Sequence, residues 1–263
     1  MLRDVTLGQY FPGESAVHRL DARTKILLVI IYIVAIFQAK GWISYALCAA
    51  AVAGSIWASK IKPKSVFKGL KPMIFIIALT AALNIFYTDG TPIFWVITVE
   101  GIVKAVQMTL RITLLITGTV MLTYTTSPMA LTDGLELLLN PLKKIKVPVH
   151  EMTIMMSMAL RFVPTLIEET DKIMSAQKAR GADFETGTLI ERAKALLPVL
   201  VPLFVSSFRR ADELAVAMES RCYHGGEGRT RMKQLRMGRG DYIALAGGVL
   251  FLASLIVMKR FAI

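Results

Sequence analysis

A chain of 263 residues that is 54% hydrophobic, with a mean hydropathy of +0.55, is too apolar for an ordinary soluble domain and reads as a polytopic membrane protein. The formal net charge of +12 does not single out nucleic acid, because the cations sit beside apolar runs and on alternate sides of them. Cys48 and Cys222 make no disulfide framework, and His18, His150 and His224 are too scattered for a metal site.

The first apolar run follows a charged stretch from Arg19 to Lys25, and no small-residue cleavage site comes after it, so no removable leader is expected. A helix needs roughly 20 apolar residues to cross a bilayer. About five stretches meet or approach that length: Lys25 to Gln38, Trp42 to Ala58, Pro72 to Tyr87, Ile102 to Thr125 and Tyr242 to Met258. The shorter run from Pro92 to Val99, between Gly90 and Gly101, reads as an interfacial or re-entrant segment.

Lysine and arginine concentrate on the cytoplasmic side of membrane proteins. Arg3, Arg19, Arg23 and Lys25 precede the first span, and Lys60, Lys62, Lys64, Lys68 and Lys71 separate the second from the third; both flanks are expected to be cytoplasmic. Lys40 stands alone after the first span, and Thr88 to Gly101 has no basic residue, so those loops are expected outside. The long polar segment after the fourth span is then cytoplasmic, and the C-terminus, with Lys259 and Arg260, lies outside against the rule. Within the fourth span, Lys104, Gln107, Met108 and Arg111 share a face. No carboxylate in another span offers Arg111 a proton-relay partner, so it is expected to cap a buried carbonyl or acid on a neighbouring helix.

These features predict an all-α polytopic fold with about five transmembrane helices and a helical cytoplasmic coupling segment between the last two. The expected divisions are 1–126, 127–240 and 241–263. Ser127-Pro128 opens a short helix closed by Asn140-Pro141, and Lys143, Lys144 and Lys146 form a basic turn suited to lipid headgroups. From Glu151 a long helical pattern carries Met152, Met155, Met156 and Ala159 on one stripe, with Pro164 expected to kink it or start a new helix. Glu168, Glu169 and Asp171 then precede Lys172, Lys178 and Arg180, an order that complements the helix dipole, and Gly181 can take the left-handed conformation that ends a helix. The pattern repeats: Pro198 and Pro202 are expected to begin a second helix, with Arg221 near its end and Gly225-Gly226 terminating it. Arg180 and Arg221 thus read as two exposed helix tips.

The chain has no Gly-x-x-x-x-Gly-Lys loop and is not expected to hydrolyse ATP itself; it also lacks His-Glu-x-x-His and any Ser-His-Asp set. No catalytic residue, metal site or cofactor is expected in this chain.

Gly8 to Ser15, Leu20-Asp21-Ala22-Arg23-Thr24-Lys25, Ala159 to Pro164 and Ala176 to Ala182 together resemble the transmembrane T component of energy-coupling factor transporters, a subclass of ATP-driven importers. The resemblance runs over most of the chain. It implies that Ala179-Arg180-Gly181 and Ser220-Arg221-Cys222 dock in two ABC-type ATPase subunits, which bind the ATP and magnesium. The second motif keeps its arginine but replaces both small neighbours. It also implies a substrate-binding membrane S component, either a single one or several in exchange, importing a vitamin or a transition-metal ion, with the central signature leaning towards vitamins. Met152, Met155, Met156 and Ala159, with the short helix from Ser127 to Leu139, are the expected S-component contacts. Plasma-membrane lipid is a further partner; nucleic acid is not, because the basic tail from Arg229 to Arg239 adjoins the last span. The alternatives are a conventional importer permease forming the substrate pathway itself, and a membrane-bound processing enzyme using Glu168, Glu169 and His150.

Overall fold

A computed structural model describes residues 10–94, 97–184, 186–226 and 235–260. The parts of the N-terminal and basic-tail motifs at 8–9 and 227–234, and Arg3, lie outside the described residues. The helices are α1 (Ala16–Arg19), α2 (Ala22–Gln38), α3 (Trp42–Ser59), α4 (Pro63–Leu70), α5 (Ile74–Tyr87), α6 (Val99–Thr125), α7 (Pro128–Leu139), α8 (Val149–Ala179), α9 (Leu189–Glu219) and α10 (Arg239–Arg260). Two short strands, β1 (Pro92–Phe94) and β2 (Ile97–Thr98), pair antiparallel where an interfacial or re-entrant segment was expected. They serve to turn the chain into α6, whose N-cap Thr98 accepts from the Gly101 amide.

The described residues divide into two compact units, one built from residues 10–138 with 235–260 and the other from within 139–226. The first is the membrane bundle. Trp42–Ser59, Pro63–Tyr87, Val99–Thr125 and Arg239–Arg260 are each long and apolar enough to cross a bilayer. The apolar helix α2, at 17 residues, is about 26 Å long and complements them. Its core joins Ala35, Ile36, Tyr45, Cys48, Val52, Leu114 and Leu255 from α2, α3, α6 and α10.

The helix ends of this bundle are closed by charged side chains on backbone groups. Lys25 Nζ, buried at the first turn of α2, donates to the Thr125 carbonyl at 2.9 Å, at the last residue of α6. Asp21, the N-cap of α2, accepts from the Arg23 amide and pairs with its guanidinium at 2.9 Å. Burial pushes the Asp21 carboxyl up, but the Arg23 contacts outweigh it and hold the group below its ordinary range. The Asp21 amide donates to Asp241 at 2.8 Å, and Arg23 donates to the Leu235 carbonyl at 3.0 Å, so the start of α10 is tied to the start of α2. The Asp21-Ala22-Arg23-Thr24-Lys25 signature is therefore a knot that sets three helix ends at one end of the bundle. At the far end of α2, Arg111 donates to the Ala39 carbonyl at 3.1 Å and lies over the Tyr45 ring. That is the carbonyl-capping role expected of an intramembrane arginine without an acid. Midway, Tyr32 donates to the Leu114 carbonyl at 2.9 Å, and its ring fills the space that a Cβ on Gly118 would occupy.

The short helix α7 packs its Gly134 on the first turn of α2, close to Ala22, as part of this bundle.

Candidate functional site

The second unit is an antiparallel helix pair. Three contacts fix its direction: Arg210 donates to Thr165 Oγ1 at 3.1 Å and pairs with Glu169, while Gln177 donates to the Pro198 carbonyl at 3.4 Å. Positions rising along α8 meet positions falling along α9. Beyond α9, Gly226 returns to the first turn of α8, so close to the His150 ring that a Cβ would not fit.

The start of α9 corrects the expectation from sequence. The helix begins at Leu189, and Pro198 and Pro202 lie inside it. A capping box starts it: Thr188 accepts from the Glu191 amide, and the Glu191 carboxylate accepts from the Thr188 amide at 2.8 Å. Thr188-x-x-Glu191 was legible in the sequence, but the prolines are the more conspicuous signal. Proline removes the donor for the carbonyl four residues back. Pro202 therefore frees the Pro198 carbonyl, which is the one that Gln177 of α8 reaches. In the same way Pro164 starts no new helix, since α8 runs through it unbroken from Val149 to Ala179.

The two arginine motifs are built alike. At the first, Gly181 is left-handed at φ 88°, its amide donates to Lys178, and the Ala182 amide donates to the Gln177 carbonyl at 3.0 Å. At the second, Cys222 is left-handed at φ 55°, its amide donates to Glu219, and the Tyr223 amide donates to the Met218 carbonyl at 3.0 Å. Each is the paired closure in which a left-handed residue caps the last carbonyls of a helix. The helix is turned off by Cys222 rather than by the expected Gly225-Gly226. Ala179, Arg180 and Gly181 superimpose in role on Ser220, Arg221 and Cys222, and all six are exposed. Ser220 also donates its hydroxyl to the Val216 carbonyl at 2.8 Å. Among the described residues, neither the Arg180 nor the Arg221 side chain has a hydrogen-bond or ion-pair partner, so each exposed guanidinium fork is left for a partner.

Antiparallel pairing puts these tips at opposite ends. Arg180 ends α8, whereas Arg221 lies towards the start of α8, separated from Arg180 by roughly 30–40 Å at about 1.5 Å of rise per residue. One small ligand cannot bridge them; two separate macromolecular surfaces can.

The predicted stripe of Met152, Met155, Met156 and Ala159 is exposed along α8. Sequence reading missed a larger one on α9, where Leu196, Leu197, Leu200, Val201, Phe204, Val205 and Phe208 are all exposed. Their recurrence at four-residue spacing was the available signal. Glu168 and Glu169, with His150, make no common site: Glu169 is engaged by Arg210, and His150 lies at the opposite end of α8 beside Gly226. Among the described residues no three His, Cys, Asp or Glu side chains converge as metal ligands.

In the bundle, a cavity of about 420 Å³ opens among α2, α3, α6 and α10, lined by apolar side chains such as Leu28, Val52, Met121 and Phe251. Its few polar groups include Lys25 and Ser55, which already bond to carbonyls.

A family model described as CbiQ, cobalt transport protein, matches residues 13–232. The relatives are named energy-coupling factor transporter transmembrane protein EcfT. One from Ruminiclostridium cellulolyticum is 53% identical over 263 residues, covering 98% of each chain. Another from Clostridium kluyveri is 54% identical over 250 residues, covering 93% of each, and one from Bacillus subtilis is 46% identical, covering 99% of this chain and 100% of its own. The chain belongs to the energy-coupling factor transmembrane family. It is a membrane component of a transporter that works with other subunits, and its role in that family is coupling.

Proposed function

We propose that α8 and α9 are two levers, each carrying an arginine at its C-terminal tip that docks on one of two ABC-type ATPase subunits. The observation that carries this reading is the repeated tip: two identical helix closures, each presenting an exposed arginine, at opposite ends of one antiparallel pair. Arginine at such a position offers a planar, permanently charged fork to carboxylates or carbonyls of a partner. ATP-driven approach of the two partners then moves both tips at once, and the helix pair carries that motion to the membrane.

The exposed apolar stripes of α8 and α9 supply the surface for a substrate-binding membrane S component. The methionines suit a surface that exchanges partners, because their side chains repack readily. The imported substrate is a micronutrient, and we favour a vitamin over the cobalt of the family description. The apolar lining of the bundle cavity supports the coupling role over that of a permease, since a hydrophilic solute would leave its polar groups unpaired there. Catalysis and nucleotide binding belong to the partners.

For orientation, we assign the end bearing the Asp21–Asp241 knot to the cytoplasm of a plasma-membrane protein, together with the α8–α9 unit. Exposed Lys60, Lys62, Lys64, Lys68 and Lys71 at the α3–α5 junction support this. The test is affinity purification from native membranes in detergent. Arg180→Glu with Arg221→Glu is expected to abolish co-purification of ATPase subunits while the chain stays in the membrane; normal yield of those subunits would refute docking through these tips.

A further inference from the structure

The α8–α9 pair holds together through a charged clasp far from either tip. Arg210 spans Thr165 and Glu169, one turn apart on α8, and Ser206 lies one turn before Arg210. Ser206 and then Arg210 hold the Glu169 carboxyl below the ordinary glutamate range, so it is charged at neutral pH. Both side chains of the ion pair are partly shielded, at 33% and 23% exposure for Arg210 and Glu169.

Its position is set by the sequence. Glu169 lies eleven residues before Arg180, and Arg210 lies eleven residues before Arg221. At about 3.6 residues per turn and 1.5 Å per residue, each interval is about three turns and about 16 Å, so the clasp and the tip share a face of each helix. The arms are equal. Both helices are also weakened beside the clasp, because Pro164 adjoins Thr165 and Pro202 lies one turn before Ser206. Each proline deletes a backbone hydrogen bond and makes bending easier there. A side-chain tie at that point fixes where the helices cross without stiffening them.

We infer that Glu169 and Arg210 are positioning residues forming the pivot about which the two arginine-tipped levers swing. This rests on the lever reading proposed above. A pivot needs attraction that survives changes in crossing angle. A flexible Arg210 reaching two acceptors can keep one while exchanging the other, which close apolar packing cannot do. The ion pair also specifies register, where an apolar contact would let the helices slide.

The experiment uses the whole transporter purified from membranes, with nitroxide labels attached through ketone-bearing residues introduced at exposed Ser175 and Asp212, so that Cys222 stays in place in every sample. Distance distributions are measured without nucleotide and with ATP and vanadate. The reference complex is expected to show two distinct separations. Glu169→Gln is expected to broaden each distribution about twofold and reduce the nucleotide-driven shift, while Glu169→Arg with Arg210→Glu restores both. Arg210→Lys, which keeps the charge but loses the fork, is expected to fall between and guards against a folding failure in Glu169→Gln. Reference-like width and shift in Glu169→Gln, or failure of the charge swap to restore them, would overturn the pivot. No nucleotide-driven shift in the reference complex would instead overturn the lever reading itself.

Discussion

Replacing Cys222 by glycine should strengthen the second tip. Cys222 holds a left-handed conformation at φ 55°, which costs an L-residue with a Cβ roughly 1–2 kcal/mol. Glycine removes that strain but has more freedom to lose on folding, which offsets about 0.5–1 kcal/mol. The net gain is about 0.5–1 kcal/mol, or a roughly two- to fivefold reduction in opening of the last turn. The assay is hydrogen exchange of the amides at 222 and 223, which donate to Glu219 and Met218 in the closure. Cys222→Gly is expected to slow their exchange by that factor. Gly181→Cys is expected to speed exchange at 181 and 182 by a similar factor, making the first tip resemble the second. Unchanged or faster exchange in Cys222→Gly would show that the helix end is not limited by this backbone strain, and the physical distinction between the tips would be lost.

Three other outcomes follow from the same geometry. Thr188→Ala removes one half of the capping box of α9 and should cost about 1 kcal/mol, seen as faster amide exchange confined to the first turn from Leu189. Gly118→Ala drives a methyl into the Tyr32 ring and should lower the thermal midpoint of the detergent-solubilised chain, at a cost of roughly 1–3 kcal/mol; an unshifted midpoint would mean that α2 and α6 are not in close contact there. The Glu169 carboxyl is lowered from 4.5, so its stabilisation of the α8–α9 pair is complete above that pH and is lost as pH falls through the lower folded value. Amide protection across α8 and α9, corrected for intrinsic rates, should therefore drop on acidification below the ordinary glutamate range in the unsubstituted chain more than in Glu169→Gln.

Local chemistry explains what could be read ahead of the structure. The apolar runs gave the spans because hydrocarbon forces long stretches of one composition, and the four crossing helices fall where those runs lie. Gly181 was legible as a left-handed terminator because few other residues take that conformation without cost. Cys222 was not recognised in the same role, since cysteine gives no such signal; only the repeated hydrogen bonds reveal it. The start of α9 was misplaced because Pro198 and Pro202 look like helix starts, whereas tertiary contacts tolerate them and Gln177 takes up the carbonyl left free. The Asp21-to-Lys25 signature could be matched to a family but not explained, because its partners Thr125, Leu235 and Asp241 are distant in sequence. The Glu169–Arg210 clasp depends on the register of two long helices, which no local pattern encodes.

The most direct test of two independent docking tips is the native mass of the detergent-purified transporter carrying one reversal at a time. Arg180→Glu and Arg221→Glu are each expected to yield complexes lacking one of two ATPase subunits while retaining the other. Complexes with both ATPase subunits at normal stoichiometry in each single variant, and in the double variant, would contradict the account.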